Sequence, residues 1–94
     1  MTDADLLTAL RDCYDPVQRR NIVDLNLIRT ATLTPDPASL PAFPRFIASI
    51  ILTAPTADEA ANTQLTAQIE NRLLGIESIS CTNITLLPPL FAIL

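Results

Sequence analysis

The stretch that decides the fold spans residues 15–28 and reads DPVQRRNIVDLNLI. A helical pattern ends at Asp15, because Pro16 disfavours the helical conformation in the residue before it. A charged loop follows, and the chain then turns through residues 21–25 into a strand. Asp24 lies among apolar residues in this turn, and two interpretations are open. Its carboxylate either accepts from nearby backbone N–H groups in an Asx-type turn or is buried and lines a site.

Size and composition favour one globular domain over residues 1–94. Hydrophobic residues make up 49% of the 94, which suffices for a two-layer core and is too many for a disordered chain. The longest strongly apolar run, residues 46–52, is far shorter than the roughly 20 residues of a membrane-spanning helix. No basic segment followed by an apolar block marks a signal peptide. We therefore expect a cytoplasmic protein without a membrane partner.

The charged residues argue against two classes of function. The net charge is −4, with six Arg, no Lys and no His. A negative field repels phosphate backbones, so we expect no nucleic-acid partner. The absence of His removes the usual acid–base group at neutral pH, and no nucleophile–base pair can be named. We therefore expect no catalytic residue and no enzymatic activity.

The two cysteines, Cys13 and Cys81, are too few for a disulfide framework and lack paired metal-ligand spacing. A free Cys usually packs as a small hydrophobic residue. We expect two buried, reduced thiols, no metal site and no cofactor.

Two helices are predicted. The first spans residues 3–14, with Thr2 as N-cap and apolar residues recurring every three or four positions. The second begins at Thr56, whose hydroxyl would form a capping box with Glu59, and runs to about residue 74. The sole glycine, Gly75, follows that helix, where a left-handed C-cap is expected.

Three strands are predicted at residues 27–34, 45–53 and 79–87, giving the order α-β-β-α-β. The first two should pair antiparallel, and the long helical crossover should make the last two parallel. The prediction is an α+β fold of two layers, in which both helices cover one face of a three-stranded mixed sheet.

Ile47 and Ile51 point away from the predicted core face, and the C-terminal segment, which includes Leu90 and Phe91, is apolar. This surplus of apolar surface favours a homodimer through these four residues. In the alternative, the C-terminal segment folds across its own sheet and the protein is a monomer.

The loop at residues 35–44 holds four of the eight prolines, a density that no strand ladder tolerates. Its Leu40 and Phe43 have two interpretations. The loop either docks on a partner or folds back and buries these side chains.

The sequence resembles the iron–sulfur cluster assembly domain family (FSCA-like, of SufT and PaaD type). The resemblance rests on Asp15-Pro16, on residues 21–25 (NIVDL) and on three weaker anchors, which are Thr53-Ala54-Pro55, residues 75–79 (GIESI) and Pro88-Pro89. It covers nearly the whole chain and implies the same element order. It also implies a role in metal–sulfur cluster biosynthesis, with assembly components as protein partners.

The resemblance also implies a site around the N-terminus of the second helix, formed by Asp15, Pro16, Asp24, Thr53, Pro55 and Thr56. Ala57 stands where the family has its cysteine, Val17 replaces a glutamate and Asn26 a glycine. An iron–sulfur cluster needs thiolate ligands, usually four. We therefore expect the isolated protein to hold no cluster. The predicted function is that of a non-catalytic accessory or scaffold protein. The alternative is a structural or interaction module, a homodimer without a role in metal–sulfur chemistry.

Overall fold

The structure is a computed structural model, which describes residues 2–88. Its elements are α1 (Asp3–Leu10), β1 (Ile28–Pro35), β2 (Phe46–Thr53), α2 (Glu59–Leu74) and β3 (Ile79–Leu87). The predicted α-β-β-α-β order and the α+β class are confirmed. Neither of the helices within residues 2–88 is long and apolar enough to cross a membrane.

The three strands form one mixed sheet in the order β1-β2-β3. β1 runs antiparallel to β2, with Thr32 opposite Ser49. β3 runs parallel to β2, with Asn83 beside the same Ser49. The pairing therefore matches the prediction, and both β1 and β3 are edge strands.

The core lies on one face of the sheet, where Ala48, Ile50 and Leu52 of β2 are fully buried. Both helices contribute to the same cluster, through Leu6, Ala9, Leu10, Leu65, Ile69 and Leu73. Burial of one Leu or Ile side chain stabilises a fold by about 1.5–3 kcal/mol. Both helices thus cover one face, as predicted.

The first helix is shorter than predicted. Thr2 is its N-cap and forms a capping box with Asp5, but α1 ends at Leu10 rather than at residue 14. Beyond it, the carbonyl of Cys13 accepts from the Ile22 N–H at 3.0 Å, and Tyr14 forms an isolated antiparallel bridge with Asn21. Cys13 and Tyr14, the last two residues of the predicted helix, are therefore outside α1 because they pair with the stretch that follows.

The second helix begins later than predicted. Its N-cap is Asp58, whose carboxylate accepts from the Ala60 N–H at 3.0 Å. The prediction that Thr56 is the N-cap is therefore wrong. Glu59 is the first helical residue and does not form a capping box with Thr56. The Thr56 hydroxyl accepts from the Asp58 N–H at 3.2 Å and shapes the turn before the helix. Asp caps helices at least as well as Thr, so the later carboxylate takes the position.

The expected left-handed conformation of Gly75 is also wrong. Gly75 is the C-cap of α2 but has an ordinary right-handed φ of −72°. The Ile76 N–H donates to the Leu73 carbonyl at 3.0 Å, and the Ile79 N–H donates to Ile76 in the same way. Two successive right-handed turns therefore lead the chain from α2 into β3, and no positive φ is needed.

Candidate functional site

Residues 21–25 form a single helical turn that is closed by side chains. The Asn21 Oδ1 accepts from the Asp24 N–H at 2.8 Å, and the Asn21 Nδ2 donates to the Asp24 Oδ2 at 2.8 Å. The other Asp24 oxygen lies 3.4 Å from a guanidinium nitrogen of Arg11, and the Asp24 side chain is half exposed. Both interpretations of Asp24 are therefore wrong. The turn is of Asx type, but Asn21 supplies its acceptor, and the Asp24 carboxylate is not buried.

The same turn ends in a left-handed residue. The Asn26 N–H donates to the Val23 carbonyl at 3.0 Å, and the Leu27 N–H donates to the Ile22 carbonyl at 3.2 Å. Asn26 has a φ of 59°. These two bonds and that conformation form a Schellman motif, in which glycine is the usual left-handed residue and Asn the best substitute. Asn26 thus holds a conformation in which glycine is the usual residue.

Asp15 closes the loop that follows α1. Its carboxylate is buried and accepts from the N–H groups of Val17 and Gln18 at 3.0 and 3.3 Å. Its own N–H donates to the Arg20 carbonyl at 2.9 Å, and its carbonyl accepts from the Arg19 N–H at 2.8 Å. Four bonds therefore give Asp15 a structural role, with Pro16 starting the turn.

Thr53, at the end of β2, contacts the residues that follow the turn at residues 21–25 (the NIVDL turn). Its N–H donates to the Leu27 carbonyl at 2.8 Å, and its buried hydroxyl accepts from the Arg29 Nε at 2.9 Å. Pro55 is half-buried. The Thr56 carbonyl accepts a hydrogen bond from the Asn62 Nδ2 at 2.9 Å. These hydrogen bonds fix the connection from β2 to α2.

The structure brings only part of the predicted site together. Thr53 reaches the deciding stretch through Leu27. Among the hydrogen bonds of residues 2–88, none links Asp15 or Asp24 to Thr53 or Thr56. The loop after α1 is instead fastened to the second half of α2, where Arg72 pairs with Asp12 at 3.0 Å. A shared site for all six residues stays a prediction.

The thiols do not fit a cluster within one molecule. Cys13 is fully buried in the core on the helix side of the sheet. Cys81 is exposed on the opposite face, beside Ile47, so the expectation of two buried thiols is wrong for it. Burial raises the pKa of the Cys13 thiol to about 11, which keeps it protonated at neutral pH. Within residues 2–88, no three side chains of the metal-binding types His, Cys, Asp and Glu converge.

The proline-rich loop forms an arm, residues 36–45, between β1 and β2. The Asp36 N–H donates to the Arg45 carbonyl at 2.9 Å at its base, and the Phe43 N–H donates to the Leu40 carbonyl at 2.9 Å at its tip. Leu40 is 66% exposed and Phe43 71% exposed. The interpretation that this loop buries both side chains is therefore wrong.

The base of the arm is fixed to β3. The Ser80 hydroxyl donates to the Asp36 carboxylate, and the Ala38 N–H donates to the same carboxylate at 2.9 Å. These bonds, chiefly the one from Ser80, hold the pKa of Asp36 below its usual value. A cleft of about 580 Å³ lies against the arm and is lined in part by Arg45 and Glu77. Sequence reasoning missed this cleft, because the fixed arm creates it.

The outer face of the sheet, which neither α1 nor α2 covers, is more polar than predicted. Ile47 is half-buried and Ile51 is 36% exposed. Their neighbours on this face are mostly Thr, Ser and Asn, namely Ser49 on β2 itself, Thr30, Thr32 and Thr34 on β1, and Asn83 and Thr85 on β3. Leu90 and Phe91, the other members of the predicted interaction surface, lie outside the described residues.

The solved structures that resemble this fold include two that bear on its function. A DUF59 domain from Bacillus anthracis superposes with a TM-score of 0.71 at 17% identity, over 90% of this chain and 73% of that one. The chain shares the fold of a DUF59 domain. Rv1466 from Mycobacterium tuberculosis superposes with a TM-score of 0.61 at 24% identity, over 89% of this chain and 66% of Rv1466.

Rv1466 is described as a protein associated with [Fe-S] complex assembly and repair. No protein-family model and no curated protein matches the sequence. The likeness confirms the fold that the sequence resemblance implied, and the narrower SufT or PaaD type stays a prediction.

Proposed function

We propose that the chain is a cytoplasmic, non-catalytic accessory protein of iron–sulfur complex assembly, of SufT or PaaD type, which acts through contacts with other proteins. The observation that carries the proposal is the DUF59 fold, which the chain shares with Rv1466, a protein associated with that process. The turn at residues 21–25, on which the sequence resemblance chiefly rests, ends in a left-handed Asn26, a conformation for which glycine is the usual residue.

The cysteine positions support an accessory role rather than a carrier role. Ala57 replaces the family cysteine at the turn before α2. Cys13 and Cys81 are separated by the sheet, so one molecule cannot offer both thiolates to one cluster. A cluster with fewer than its usual four protein ligands would be poorly held. In this proposal the cluster is cargo that other proteins carry.

The arm offers a surface for such contacts. A short turn presents Leu40 and Phe43 together, and Pro41 restricts the backbone between them. Aromatic side chains often anchor protein interfaces, and a fixed loop loses little conformational entropy on binding. The arm therefore suits insertion into an apolar pocket of an assembly protein.

The test is a cluster-transfer assay, with an iron–sulfur scaffold protein as donor and an apo-ferredoxin as acceptor. We expect the wild-type chain to increase the transfer rate without taking up the cluster. The double variant Leu40→Ser/Phe43→Ser should lose this increase. Leu74→Ser, which changes a half-exposed Leu on α2, is the matched control and should retain it. Equal rates with and without the wild-type chain would exclude the accessory role.

The alternative function is an interaction module that dimerises through the outer face. The exposure of Ile51 on a face that neither helix covers favours it. Burying Ile47 and Ile51 would contribute about 1.5–3 kcal/mol per side chain. Light scattering should then give twice the 10.2 kDa of one chain, and Ile47→Asp/Ile51→Asp should give the monomer mass. A wild-type mass near that of one chain at tens of micromolar would rule the dimer out.

A further inference from the structure

We propose that the free edge of β3, together with the groove beside it, binds an extended basic segment of a partner protein by strand addition. β3 is the longest strand, with nine residues, and it lies at the edge of the sheet. It contains no charged residue and no proline. Exposed edges of this kind are templates for pairing with another chain, and proteins usually protect them.

The unpaired backbone groups of β3 can be assigned. The Ala54 N–H donates to the Leu87 carbonyl at 2.8 Å, so the backbone of Leu87 faces β2. Successive residues of a strand face opposite sides, so Thr82, Ile84 and Leu86 direct their N–H and C=O groups to the free edge. Within residues 2–88, no strand or side chain pairs with these groups. Three residues are thus ready to accept a strand.

The opposite edge, at β1, is protected in the usual ways. The Leu33 N–H donates to the Asp3 carboxylate at 3.2 Å. Pro35 lies two positions further along the same edge and has no N–H to donate. A bulge between Ile28 and Thr30 interrupts the register. The protection of β1 and the open edge of β3 make β3 the pairing edge.

A groove of about 460 Å³ runs between α2 and β3. Leu86 lines it from β3. The other lining residues belong to α2 and are Glu59, Asn62, Thr63, Thr66, Ala67 and Glu70, so a glutamate is the first and the last of them along the helix. The two glutamates are eleven residues apart on α2, which corresponds to about 16 Å along a helix axis. That distance equals about five residues of an extended strand. An added strand would therefore lay its helix-facing side chains along small residues and place its two ends near carboxylates.

The charges of the groove select the occupant. A second copy, paired through its own β3, would bring the Glu59 and Glu70 side chains of two α2 helices towards one another. Its β3 has no Lys or Arg to offset them. Like charges repel, whereas Lys or Arg side chains on an incoming strand would be attracted. The partner is therefore a different polypeptide that carries basic residues at the ends of a short strand. This edge would accept that strand whether or not the chain acts on iron–sulfur complexes.

The probe is the fluorescein-labelled nonapeptide Thr-Lys-Thr-Val-Thr-Val-Thr-Lys-Thr, measured by fluorescence anisotropy at low salt against the same peptide with Glu for both Lys. We expect the Lys peptide to bind at least about tenfold more tightly than the Glu peptide. Glu59→Gln/Glu70→Gln should weaken the Lys peptide about two- to tenfold. Glu77→Gln, away from this groove, is the matched control and should leave the affinity unchanged.

The edge itself is tested with proline. Thr82→Pro removes an N–H that faces away from β2 and should weaken the Lys peptide about tenfold. Ala31→Pro is the matched control. Ala31 is two residues before Leu33 on β1, so its N–H also faces the free edge of that strand, and the variant removes an edge N–H at the other side of the sheet. Circular dichroism checks that both proline variants are folded. If either is not, the comparison of Glu59→Gln/Glu70→Gln with Glu77→Gln tests the proposal.

Amide hydrogen exchange decides between the possible occupants. The Lys peptide should slow exchange at Thr82, Ile84 and Leu86 and leave Ala31 unchanged. Equal binding of the Lys and Glu peptides, or no effect of a folded Thr82→Pro variant, would overturn the proposal. Exchange that slows at these three residues with protein concentration alone, without peptide, would show pairing between copies and would also overturn it.

Discussion

Gln68 of α2 holds the backbone of Tyr14 with both ends of its side-chain amide. The Gln68 Oε1 accepts from the Tyr14 N–H at 2.9 Å, and the Gln68 Nε2 donates to the Tyr14 carbonyl at 2.9 Å. The two residues are 54 positions apart. This contact ties the segment after α1, and with it the start of the deciding stretch, to the helical layer.

Gln68→Ala should lower the free energy of unfolding by about 1–2 kcal/mol, because it removes two hydrogen bonds and leaves two backbone groups without protein partners. Urea denaturation followed by circular dichroism measures the change. Gln64→Ala, at an exposed position of the same helix, is the matched control and should change stability by less than about 0.5 kcal/mol. Equal midpoints for the two variants would contradict the role of Gln68.

Asn26 is expected to tolerate glycine and to resist a β-branched residue. Its φ of 59° costs roughly 1–2 kcal/mol for residues other than Gly, Asn and Asp. Asn26→Gly should be close to neutral, and Asn26→Val should destabilise by about 1–2 kcal/mol in urea denaturation. If Asn26→Val is as stable as Asn26→Gly, the NIVDL turn does not end in the left-handed residue described above.

Gly75→Ala should be tolerated or slightly stabilising. Gly75 has a φ of −72°, and an added Cβ would lie 3.4 Å from the Asn71 carbonyl and 3.5 Å from that of Arg72, which is ordinary contact. Replacing a Gly in a compatible conformation restricts the unfolded chain and stabilises by about 0.4–1 kcal/mol. A clear loss of stability on thermal denaturation would restore the left-handed cap that the sequence suggested.

Cys13 is expected to make the protein less stable at high pH. Burial raises the pKa of its thiol from 9.0 to about 11 in the folded state. The folded protein therefore keeps this proton more tightly than the unfolded chain. The resulting stability is complete below about pH 9 and is lost as the pH rises towards 11. In urea denaturation, the decline between these values should be shallower for Cys13→Ala than for the wild type and unchanged for Cys81→Ala. If the free energy of unfolding falls with pH at the same slope in all three proteins, the buried thiol of Cys13 does not cause the loss of stability.

The sequence predicted the elements and their pairing because these depend on local periodicity and on chain connectivity. β3 was placed at its observed bounds, and the crossover between β2 and β3 predicted their parallel pairing. The ends of the helices were not predictable in the same way. α1 ends early because Cys13 and Tyr14 pair with residues 21 and 22, a contact that exists only in the folded chain.

The side chains of the candidate site were harder to predict, because several acceptors compete for the same N–H groups. Asp24 and Asn21 are both plausible caps of one turn, and the structure uses Asn21. Thr56 and Asp58 compete in the same way before α2. The exposure of Leu40 and Phe43 follows from a fixed arm, for which no periodic pattern exists.

The most direct test of the central claim is the iron and acid-labile sulfide content of the chain after anaerobic reconstitution and gel filtration. If the protein acts through contacts and does not carry a cluster, the wild type and Cys81→Ser should both emerge without stoichiometric iron or sulfide and without a visible absorbance band. Stoichiometric iron and sulfide on the wild type, lost in Cys81→Ser, would contradict the account. That result would make the exposed thiol of β3 a cluster ligand, shared with a second molecule.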